Sequence, residues 1–127
     1  MNPTVAESWA TIVDWLKTNL PSALEHLQPP ATGADLTALR TAMGRRLPND
    51  LIAWLTLNNG FARTTSFGSL IPVLYVPMST TEMLRDRDML RRIWSTMDVP
   101  IEDGPAGTPS FPWLDEFLPI SRASRTG

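Results

Sequence analysis

A hydroxyl residue followed three positions later by an acid, in front of an apolar run, recurs along this chain. Thr4 with Glu7, Ser22 with Glu25, Thr32 with Asp35, and Ser79 with Glu82 have this form. The pattern starts helices, because the hydroxyl and the carboxylate each accept a backbone N–H that the first turn leaves orphaned. Proline and glycine supply the stops. Val5, Trp9, Ile12, Val13, Leu16 and Leu20 recur at helical spacing until Pro21. Ser22 and Glu25, with Leu24 and Leu27, predict a short second helix that Pro29-Pro30 ends.

A third helix is expected from near Thr32, with Leu36, Leu39 and Met43 on one face and Gly44 as its C-terminal cap. In Leu47-Pro48-Asn49-Asp50, Pro48 falls where a first helical position would be, and its missing N–H costs nothing there. Leu51, Trp54 and Leu55 give the next buried stripe, and Asn58-Asn59-Gly60 ends it.

The pattern changes beyond Gly60. Phe67 to Val76 is rich in strand-favouring residues, and Pro72 restricts that run to an edge, a bulge or two short pieces. A further helix is predicted near 79–97. Met83, Leu90, Ile93, Trp94 and Met97 make its buried face, and Arg85, Asp86, Arg87, Asp88, Arg91 and Arg92 cover the rest. Asp88 and Arg92 stand one turn apart and can pair. Residues 98–112 read as a Pro/Gly loop, Trp113 to Ile120 as one more strand or extended piece, and Ser121 to Gly127 as a polar, frayed end.

The expected fold class is therefore α+β. N-terminal helices pack on a small, mainly antiparallel sheet, with the 79–97 helix added, in a single domain over 1–127. Helices first and strands later suit segregated layers better than a parallel sheet. The length of 127 residues suits one domain, and 43% hydrophobic with 19% charged residues is globular composition.

The run from Leu27-Gln28-Pro29-Pro30 through Leu47-Pro48 to Asn58-Asn59-Gly60 resembles the SUKH superfamily. Its members include the fungal cell-wall-assembly regulator and many bacterial immunity proteins. The family signature has a leucine-glycine step, then Leu-Pro, then a helix ending in Asn-Gly. Here those places are Met43-Gly44, Leu47-Pro48 and Asn59-Gly60. Phe111-Pro112-Trp113 and Phe117-Leu118-Pro119-Ile120 resemble the family's Trp-rich segment and Leu-Pro-Ile strand, so the likeness covers roughly residues 5 to 120. Gly44, Leu47, Pro48, Asn59 and Gly60 are thereby expected to hold the fold. Two departures stand out. Members usually carry a glutamate at the place of Arg40, and a pairing made by that glutamate would be lost or reversed here. Members also continue through a glycine-rich turn into further strands. The chain reaches Gly127 without them, as a truncated domain or a short member would.

No constellation of catalytic residues emerges. His26 is the only histidine, and its neighbour Glu25 points elsewhere on a helix. With no cysteine, disulfides and thiolate metal sites are excluded, and no metal or cofactor is expected. Asp115 and Glu116 are adjacent, so in a strand they face opposite ways and do not frame a glycosidase cleft. They read either as a solvated edge or as an acidic contact for a basic partner. Asp86, Asp88 and Asp98 lack the glycine and distal glutamate of a calcium loop. Gly104-Pro105-Ala106-Gly107 is not followed by the Gly-Lys-Ser/Thr of a phosphate loop. Arg85, Arg87, Arg91 and Arg92 are interleaved with acids, and the net charge is −2, so no nucleic-acid partner is expected.

No run approaches the ~20 apolar residues of a membrane span, and the first residues lack the basic and apolar regions of a signal peptide. A cytoplasmic location and no membrane association are expected. Of the five tryptophans, Trp9, Trp54 and Trp94 fall on apolar helix faces. Trp15 lies off the main stripe and Trp113 lies near the end. Each reads either as packing or as an exposed anchor.

Trp15, Trp113, Asp115 and Glu116 are therefore the candidate partner-binding residues. The resemblance implies a non-catalytic module, most readily an immunity-type protein that binds and neutralises a toxin. The alternative is a regulatory scaffold of the same fold that binds a host enzyme or cell-wall machinery. An enzyme of unrecognised type is the third possibility, weakened by the shortage of His, Cys and Lys.

Overall fold

A computed structural model of the chain describes residues 2–62, 75–96 and 117–123. Helix α1 spans Val5–Asn19, α2 Gly33–Met43, α3 Asn49–Leu57 and α4 Thr80–Ser95; strands β1, Tyr75–Pro77, and β2, Ser121–Ala123, pair antiparallel. The class is α+β, with many helical residues and a tiny sheet.

Three of the sequence-level starts are real capping boxes. Thr4 and Glu7, Thr32 and Asp35, and Ser79 and Glu82 each exchange both bonds across the first turn of α1, α2 and α4. The fourth is not. Pro21–His26 forms a 3-10 helix with no side-chain cap, begun by Pro21 rather than by Ser22. The 3-10 helix covers six residues, and Leu27 beyond it is already extended, bridging to Phe61 ahead of Pro29-Pro30. Gly44 caps α2 in the left-handed conformation at φ 66°, as expected. Pro48 is the cap of α3 and not its first turn. Its extended ψ of 139° takes it out of the helix, while its carbonyl accepts from the Ile52 amide at 3.2 Å.

The core lies where α2, α3, α4 and the segment after β1 meet. Leu36, Leu39, Leu47, Leu55, Met78 and Met83 form one buried cluster, flanked by Met43, Leu51, Trp54 and Leu118. Burial of each such side chain contributes about 1.5–3 kcal/mol, before chain entropy is set against it. Helix α1 is seated on α3 through Trp9, which meets Trp54 edge-on at 4.7 Å between ring centroids.

Several sequence expectations are corrected. Ile12 and Ile93, read as buried, are both 42% exposed. Arg87, read as solvated, is buried, because α4 packs on α2 there and its Nη1 donates to the Ala42 carbonyl at 3.3 Å. Ser121–Ala123, read as frayed, forms β2, whereas Phe117 to Ile120 just before it has no regular structure. The Asp88–Arg92 pair forms, at 2.9 Å. Most of the Phe67–Val76 strand expectation and the whole 98–112 loop lie outside the described residues, as does Met97.

Candidate functional site

The stretch from His26 to Ala31 runs alongside the turn that follows α3. Leu27 bridges to Phe61, the Gln28 amide donates to the Gly60 carbonyl at 3.0 Å, and the Asn59 amide donates to the Pro29 carbonyl at 2.9 Å. From this turn Asn59 reaches α4. Its Oδ1 accepts from the Thr80 amide at 2.8 Å and its Nδ2 donates to Thr80 Oγ1 at 3.3 Å. Gly60 must be glycine. Its φ is 77°, and a Cβ there would lie 2.5 Å from the Met78 carbonyl carbon and the Ser79 nitrogen. Asn59 and Gly60 therefore weld the end of α3 to the start of α4. Leu47, 3% exposed, belongs to the core. The five motif residues have backbone and packing roles.

This weld leaves an open cleft of about 500 Å³ between the starts of α2 and α4. Pro29, Pro30 and Phe61 give it an apolar wall, and Asp35, Glu82 and Arg85 give it charge. Both carboxylates are already engaged. Asp35 Oδ2 accepts from the Thr32 amide at 2.9 Å. Glu82 Oε1 accepts from the Ser79 amide at 3.3 Å, and Glu82 Oε2 pairs with Arg122 Nη1 at 3.2 Å. Both act as helix caps. The carbonyl of His26 accepts from the Ala62 amide, and His26 does not line the cleft. Among the described residues no group of three or more His, Cys, Asp or Glu is placed to hold a metal ion, and no helix is long and apolar enough to cross a membrane.

A second surface lies on α1. Trp15 is 60% exposed, and Ile12, one turn before it, is 42% exposed. Residues three apart on a helix are neighbours, so the two form one apolar flank. Ser8, Thr11 and Asn19 lie beside them on the helix surface, while Asp14 and Lys17 pair with each other at 3.8 Å. Of the four candidate partner contacts, the structure places Trp15 in solvent; Trp113, Asp115 and Glu116 lie outside the described residues. Ile12 was absent from the sequence-level candidates because its spacing matches the buried stripe. The packing of α1 is rotated so that Trp9 and Leu16 take the interior and Ile12 is left at its margin.

No protein-family model matches the chain, and no curated protein matches it.

Proposed function

We propose that this chain is a non-catalytic, cytoplasmic protein-binding module of immunity type, which neutralises a toxin by covering its active site. The observation that carries the binding role is Trp15, 60% exposed beside the half-exposed Ile12 on α1. Water around an indole of this size is displaced favourably when a partner covers it, and tryptophan dominates interface energetics for that reason. The toxin as partner rests on the sequence resemblance to the SUKH superfamily at Met43-Gly44, Leu47-Pro48 and Asn59-Gly60. Supporting the non-catalytic reading, Asp35 and Glu82 in the cleft are committed to helix caps.

The test is capture of partners by the tagged protein from its own host, read by mass spectrometry. A stoichiometric partner with a toxin domain supports the reading. A reproducible partner without one replaces it by the regulatory scaffold. Hydrolase or transferase activity that a single point substitution abolishes overturns it.

A further inference from the structure

Asn59 is followed by Gly60, and both lie in the turn after α3. An asparagine before glycine is open to attack by its own backbone, because a neighbour without a Cβ leaves the amide nitrogen unshielded. The Gly60 nitrogen bonds to Asn59 Cγ, the Cγ–Nδ2 bond breaks, and Nδ2 departs as ammonia, taking up the proton that the amide loses. Water then opens the cyclic imide at either carbonyl and leaves aspartate or isoaspartate. In this fold the nucleophile is untied. Among the described residues the Gly60 amide has no acceptor, while its carbonyl takes the Gln28 amide. The electrophile is held at both ends. Asn59 Oδ1 accepts from the Thr80 amide at 2.8 Å and Nδ2 donates to Thr80 Oγ1 at 3.3 Å, and Thr80 itself is buried.

We propose that Asn59 is a site of spontaneous deamidation gated by Thr80, closed while the start of α4 is docked on the turn and opened when it lifts. The imide does not close while both bonds stand, since Nδ2 must leave and Oδ1 must turn off the Thr80 amide as the ring forms. The two products differ in consequence. Aspartate keeps an oxygen for the Thr80 amide, and its negative charge falls at the positive end of α4. Isoaspartate inserts a methylene into the backbone just ahead of Gly60. The chain has no slack there: a Cβ on Gly60 would already lie 2.5 Å from the backbone of Met78 and Ser79. Isoaspartate therefore undoes the weld between α3 and α4.

The test is peptide mapping of Asn59 after incubation in mildly alkaline buffer, with aspartate and isoaspartate separated by chromatography. Native wild type is compared with wild type in urea, Thr80→Val and Thr4→Ala. Thr80→Val keeps the side-chain shape and the backbone amide and removes the Oγ1 acceptor. Thr4→Ala removes a cap of similar worth on α1, away from the weld. The expected conversion in native wild type is at least about tenfold slower than in urea, roughly tenfold faster in Thr80→Val than in native wild type, and unchanged in Thr4→Ala. Equal rates in native and denatured wild type overturn the gate, as does a Thr80→Val rate equal to that of native wild type. Equal acceleration by Thr80→Val and Thr4→Ala overturns it too, because a site opened only by global unfolding behaves that way. The purified isoaspartate form is expected to unfold at a lower urea midpoint than the wild type, and an unchanged midpoint overturns its effect on the weld.

Discussion

Two glycines share a left-handed backbone and differ in what surrounds them. Gly44 has φ 66° with nothing within 4 Å of a would-be Cβ, and Gly60 has φ 77° with backbone at 2.5 Å. Gly44→Ala therefore meets only the conformational cost, about 1 kcal/mol. Gly60→Ala adds a steric clash with backbone that cannot swing aside, and the loss should reach roughly 2–4 kcal/mol. Urea denaturation of the two variants checks the ordering; equal losses would contradict the weld between α3 and α4. Leu39 and Leu55 are fully buried, and truncating either to alanine should cost about 2–5 kcal/mol in the same experiment. Trp15→Ala should leave stability within about 0.5 kcal/mol of wild type, since its side chain is mostly in water already.

At the scale of elements, helix starts were legible because they are local chemistry. A hydroxyl and an acid three residues apart are enough to satisfy a first turn, and Thr4, Thr32 and Ser79 do so. Thr32→Ala and Ser79→Ala should each cost about 1 kcal/mol, read from thermal melts. Ser22 shows the limit of local reasoning. It has the same spacing to Glu25, yet Pro21 begins the turn, no side chain caps it, and the segment winds as a 3-10 helix. Burial on the helices was less legible than their starts. The 3.6-residue period marks a stripe, but which edge of the stripe faces inward depends on the neighbour. Ile12 and Ile93 fall on the outer edge, and Arg87 falls inside because the Ala42 carbonyl at the end of α2 offers it an acceptor. Strand β2 was illegible for a related reason. Ser121-Arg122-Ala123 has no apolar alternation, and it is held by its ladder with β1 and by a side chain from α4.

For the whole molecule, the α+β arrangement follows from a few long-range ties: the Leu27–Phe61 bridge, the Asn59–Thr80 bonds and the β1–β2 ladder. Asn59 and Gly60 were legible as a helix end, but the second task of Asn59, holding α4, depends on Thr80, 21 residues away, and leaves no mark in local sequence. Of the candidate contacts, Trp15 was legible as lying off the apolar stripe of α1, and it stands in solvent; Trp113, Asp115 and Glu116 lie outside the described residues. The account holds that this exposed flank is where a partner protein docks. The most direct check is a side-by-side capture from the native host with wild type and Trp15→Ala, both confirmed folded by near-UV circular dichroism. The account predicts one stoichiometric partner on the wild type and at least an approximately 30-fold weaker retention on Trp15→Ala, as expected for losing about 2 kcal/mol at a hot spot. Equal retention of the same partner by both proteins would contradict it and move the interface away from α1.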